Sequence, residues 1–114
     1  MEYSLLNLST GKVSLTKSDK GEWIANYGNI STSSDTNIKI SIKPEVEGLV
    51  FNKNVFSSCG CTTPKLEEQE DGSQLLKIHY SNKQKGTFTK TVKVTYKINK
   101  QERSIVIKIK GAVN

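Results

Sequence analysis

The chain has 114 residues, 34% of them hydrophobic and spread in short runs of Val, Ile, Leu, Phe and Tyr, which suits a single globular domain with one core and excludes a disordered chain. No apolar run approaches the roughly 20 residues that a membrane-spanning helix needs, so no membrane span is expected. The net charge of +6 is uneven, with seven Lys and ten acids in residues 1–76 but nine Lys and Arg103 against Glu102 alone in residues 77–114; a single Arg gives too few bidentate contacts for a nucleic-acid reader.

Apolar residues alternate with period two in one segment after another, and no segment places them at i, i+3, i+4 and i+7, so the expected fold is all-β. In chain order, GKVSLTK (11–17) offers Val13 and Leu15 to a core, and EWIANY (22–27) offers Trp23, Ile24 and Tyr27 ahead of an expected Gly28-Asn29 turn. TNIKISIK (36–43) turns Ile38, Ile40 and Ile42 inward, and NVFSS (54–58) is a further short strand. The acidic run LEEQEDGS (66–73) reads as a solvated turn, leading into QLLKIHYS with Leu76, Ile78 and Tyr80 on one face and Leu75, Lys77 and His79 on the other. TFTKTVKVTYKI (87–98) places Phe88, Val92, Val94, Tyr96 and Ile98 on the core side and Thr87, Thr89, Thr91, Lys93, Thr95 and Lys97 on the wet side. After a turn at NKQE (99–102), RSIVIKIKGAV repeats the pattern with Ile105, Ile107, Ile109 and Val113, and the two segments form a hairpin. Pro44 and Pro64 each follow a strand, where a missing N–H costs least.

These segments make about seven antiparallel strands over residues 1–114 as one domain, and their spacing predicts an immunoglobulin-like β-sandwich. The lysines of the C-terminal half, Lys90, Lys93, Lys97, Lys108 and Lys110, form a candidate basic docking face. A solvated lysine face also keeps sheet edges from pairing, and that is the plainer reading of the same residues.

The two cysteines stand in SSCGCTTP, residues 57–64. On an extended strand both would point to one face, with Cα atoms near the upper limit for bridging; a kink at Gly60 would allow a disulfide, a strained and easily reduced one. Zinc wants four ligands, and two Cys with one His do not supply them. Two thiolates suffice for linear Cu(I), with His79 or Met1 as an assisting ligand, but only the spacing speaks for it. Catalysis by a thiolate would need His79 beside it, and His79 belongs to the wet face of its strand. The plain reading is two small half-buried thiols flanking a glycine at a sheet-to-loop corner. No phosphate-cradling, dinucleotide or nucleophile-elbow motif occurs, so no catalytic residue, cofactor, metal or small-molecule substrate is expected.

Ser58, Cys59, Gly60, Cys61 and Thr62, followed by the Asp71-Gly72 turn, Ile78 and Tyr80, Gly86, Phe88 and Lys90, and the closing Gly111, Ala112, Val113, resemble a bacterial domain family of unknown function that carries a Ser-Cys-Gly-Cys-Thr motif. Asn26, Tyr27 and Gly28 resemble its earlier Asn-x-Gly. The resemblance implies an immunoglobulin-like domain related to the hydin-type (ASH) and major sperm protein domains, which are binding or scaffolding modules without enzymatic activity. That family usually carries an export signal, whereas Glu2 stands here where a signal peptide has its basic region. The expectation is therefore a structural module that assembles inside the cell, most concretely a decoration protein on a phage capsid, bound to the major capsid protein and located in the virion. The alternative is an exported envelope module at the periplasm or cell surface, for adhesion or for copper handling through Cys59 and Cys61.

Overall fold

The computed structural model describes residues 2–114 as ten strands in two sheets. They are β1 (Tyr3–Asn7), β2 (Ser14–Lys17), β3 (Trp23–Ile30), β4 (Asn37–Pro44), β5 (Val50–Phe51), β6 (Phe56–Ser57), β7 (Thr62–Glu68), β8 (Gln74–Tyr80), β9 (Gly86–Ile98) and β10 (Gln101–Val113). The first sheet has the order β1-β4-β8-β7, and the second β2-β3-β10-β9-β5, with β6 also paired to β9. Among the described residues no helix is long and apolar enough to cross a membrane.

The alternation read from the sequence becomes the core. Ile38, Ile40 and Ile42 of β4 and Leu76 and Ile78 of β8 face Val92 and Val94 of β9 and Ile105, Ile107 and Ile109 of β10, all at most 1% exposed. Removing a β-branched or leucine side chain of this kind from water contributes about 1.5–3 kcal/mol, so this double layer is the main source of stability. At one end Tyr80 stacks on Phe88 with ring centroids 3.9 Å apart, and the Tyr27 hydroxyl donates to the Thr36 carbonyl at 2.6 Å. Burial holds the Tyr27 phenol in its neutral form well above the usual tyrosine range.

Five sequence expectations are corrected. Ten strands replace about seven, because β5 is only two residues long, β1 sets Leu5 and Leu6 side by side, and β7 has Leu66 as its one large apolar residue, so none of the three shows an alternation. β3 and β10 pair in parallel, while every other pair is antiparallel; periodicity fixes a strand's faces but not its direction. Gly28-Asn29 is not a turn. Two steps of β10, Lys110 to Ala112, oppose three of β3, Asn26 to Asn29, so Gly28, at φ +69°, lies in a β-bulge that moves the inward face from Trp23, Ala25 and Tyr27 to Ile30, leaving Ile24 outward. Pro64 lies inside edge strand β7. Since Ser81 N donates to Cys61 O and Gln69 N to Ser73 O, Pro64 falls on an alternate position whose N–H would face away from β8, and no ladder bond is lost. Glu67 and Glu68 belong to β7 rather than to a loop, and Glu67 bridges Lys65 at 3.4 Å and Lys77 at 2.9 Å. Those two ammonium groups hold its carboxyl below the usual range.

The expected hairpin is present with a tighter turn. Gln101 already pairs with Ile98, and the two linking residues, Asn99 and Lys100, both have positive φ, 49° and 69°, the backbone of a two-residue type I′ turn.

Candidate functional site

The cysteine motif is the crossing from one sheet to the other. β6 pairs with β9 of the second sheet, and four residues later β7 pairs with β8 of the first. Reversing so quickly leaves backbone groups without strand partners, and the small hydroxyl residues around the cysteines satisfy them. Ser58 N donates to Thr91 O and Thr91 N to Ser58 Oγ, both at 2.9 Å, which fastens the corner to β9. Ser81 N donates to Cys61 O at 2.7 Å, fastening it to the end of β8. Ser57 Oγ lies 2.8 Å from Cys59 O and 3.0 Å from Thr62 O, and Thr62 N closes the turn onto Cys59 O at 3.1 Å.

Cys59 and Cys61 are joined in a disulfide and are not the free thiols of the plain sequence reading. The chain turns here instead of running extended, which brings their Cα atoms to 5.2 Å, inside the ordinary bridging range. Both are half-buried; Cys61 packs against the core, and its N–H points at Cys59 Sγ at 3.1 Å. Gly60 is exposed, its φ lies outside the left-handed region, and a Cβ built there would meet nothing within 4 Å. The glycine is therefore not what makes the turn possible.

His79 is exposed, with Nδ1 3.2 Å from Asn37 Oδ1. It lies opposite Thr63 on β7, and no group of three or more His, Cys, Asp or Glu among the described residues is arranged to hold a metal. Met1, the other assisting ligand considered for Cu(I), lies outside the described residues. The bridge as formed offers no thiolate, so any Cu(I) site at Cys59 and Cys61 would first require its reduction.

The lysine face holds four of its five expected members. The β9–β10 register sets Lys93 opposite Val106, Lys97 opposite Glu102, Thr91 opposite Lys108 and Thr89 opposite Lys110, so these residues share the outward side of the second sheet. Lys90 does not join them: it pairs with the buried Ile109 and has the same parity as Phe88 and Val92, so its stem starts from the core side near the end of the sandwich. What the sequence reading missed is the apolar part of this face. Val50 on β5 is 66% exposed and Phe56 on β6 55% exposed, standing opposite Lys97 and Lys93, and the Lys93 ammonium lies 5.9 Å from the Phe56 ring centre. Ile24 and Asn26 of β3 extend the face beside Lys108 and Lys110, and Glu22 pairs with Lys108 at 3.8 Å. The only sequence signal for Phe56 and Val50 was a large apolar residue in a segment too short to bury it.

The family model described as "Protein of unknown function (DUF1573)" matches residues 19–113, which takes in the cysteine corner and eight of the ten strands, β3 to β10. No curated protein matches the chain.

Proposed function

Because the chain belongs to the DUF1573 family of proteins of unknown function, we propose its role from its own surface: a non-enzymatic module that docks by the outward side of the second sheet onto a larger protein assembly. The observation that carries this reading is the mixed face on which two exposed apolar side chains at the sheet edge, Val50 and Phe56, stand beside Lys97 and Lys93, with Lys108 and Lys110 on the next strand in. Lysines in such a field steer an acidic partner and set its orientation, while the apolar pair, desolvated on docking, holds it. The relation to hydin-type and major sperm protein domains that the chain's family resemblance implies supports a binding or scaffolding role. The most concrete form is an auxiliary protein on a phage capsid, bound in many copies to the major capsid protein and located in the virion. Co-sedimentation with assembled capsids of the host system tests it. Saturable binding that is lost in Lys93→Glu/Lys108→Glu and weakened by salt is the expected result, and absence of binding at low salt discards the capsid reading.

The disulfide also suits a second reading, an exported envelope module, because bridges persist outside the reducing cytosol. Virion surfaces share that property, so the bridge alone does not choose between the two. A signal peptide upstream in the native reading frame supports the envelope module, and capsid and portal genes beside it support the decoration protein. For the copper version, metal analysis of the reduced protein that finds no bound copper removes it.

A further inference from the structure

We propose that the Cys59–Cys61 bridge is a thiol–disulfide exchange site that takes two electrons from an external protein dithiol, with Cys59 the sulfur attacked and Cys61 the sulfur that leaves. The inference is independent of the docking reading.

Three observations carry it. As a staple the bridge is nearly redundant: it joins residues two apart, so it constrains the unfolded chain less than almost any other cross-link. The corner is already fastened by the paired Ser58–Thr91 bonds, by Ser81 N to Cys61 O and by Thr62 N to Cys59 O. The two sulfurs also differ. Cys61 is among the residues packed against the core cluster and Cys59 is not, so an incoming thiolate meets less of the protein at Cys59. The third observation is Gly60, which neither φ nor crowding requires to be glycine. A glycine there leaves the side of the bridge uncovered, as an attacking thiolate carried on another protein needs.

Thiolate stabilisation is built in on both sides. The Cys61 N–H, 3.1 Å from Cys59 Sγ, holds negative charge on Cys59 once it is released, and the Thr62 hydroxyl lies 3.8 Å from Cys61 Sγ, where it can turn its proton toward a Cys61 thiolate. In the first step the partner thiolate attacks Cys59 Sγ in line; the new S–S bond forms as the Cys59–Cys61 bond breaks, and Cys61 leaves with the electron pair. The partner's second thiolate then attacks the partner sulfur of the mixed disulfide and expels Cys59 as thiolate. The partner dithiol ends as a disulfide, and Cys59 and Cys61, each taking a proton from water, end as two thiols.

The test uses the whole chain. Under native conditions dithiothreitol should convert the bridge to two alkylatable thiols, seen by mass as two N-ethylmaleimide adducts, with the far-UV circular dichroism unchanged. In Cys61→Ser, the remaining Cys59 should form a mixed disulfide with glutathione disulfide at least tenfold faster than Cys61 does in Cys59→Ser. Should either variant fail to fold, substoichiometric iodoacetamide on the reduced wild type, read by peptide mapping, should label Cys59 at least tenfold over Cys61. The proposal is overturned by equal or reversed selectivity, by a bridge that dithiothreitol opens only when urea unfolds the protein, or by an isolated protein with two free thiols that glutathione disulfide does not close.

Discussion

On one edge β9 pairs with β10 through all 13 residues of each strand; on the other it meets only the two-residue strands β5 and β6 and the cysteine corner. The first edge lies over the fully buried Val92, Val94, Ile105, Ile107 and Ile109, whereas the second carries Phe56 and Val50 turned to solvent and is held by hydrogen bonds at Ser58. Burial of aliphatic side chains contributes about 1.5–3 kcal/mol each, and a net hydrogen bond about 1 kcal/mol. One strand thus joins a region that supplies stability to a region free to vary, and it is on the second that a reactive bridge and an exposed apolar pair are found.

Substitutions on the two edges sharpen the contrast. Ile107→Ala, in the middle of the hairpin, should destabilise by about 2–5 kcal/mol through lost transfer energy and the cavity left behind, measured by urea unfolding. Gly111→Ala comes next: an added Cβ would lie 3.0 Å from the Gly28 carbonyl oxygen, the Phe88 ring and Tyr27 Cβ. Because the carbonyl is backbone, relief requires the bulge to shift, and a loss of about 1–3 kcal/mol is expected. Ser58→Ala on the other edge should lower the unfolding free energy by only about 1 kcal/mol. If it costs as much as Ile107→Ala, the corner is part of the cooperative core and the contrast fails. The smallest effect has the opposite sign: Lys100→Gly relieves a non-glycine residue at φ 69° and should raise the unfolding free energy by about 0.5–1 kcal/mol, measured by urea unfolding.

How far the sequence could be read follows the same division. The inward residues of β4, β8, β9 and β10 were legible because each of these strands has one wet and one dry face, and a period of two then determines both. β7 was illegible because its run from Thr62 to Glu68 buries only Thr62 and Leu66. Gly28 was misread because glycine marks turns and bulges alike, and only the partner strand, about 80 residues away in the chain, distinguishes them. Lys90 was placed on the docking face by its charge, although its position in the alternation already argued against it. At the corner, the motif was visible and its bridge was not, since the Cα separation depends on a turn that no periodic pattern encodes.

The parallel pairing of β3 with β10 determines when this protein can fold. β10 is the middle strand of the second sheet, yet it is synthesised after the nine others, and β3 exposes an unpaired edge until residues 107–113 have left the ribosome. Loop closure across so long a separation opposes early nucleation. Completion of the second sheet therefore waits for residues 107–113, and until they arrive the edge of β3, which carries no lysine, is open to pairing with another chain.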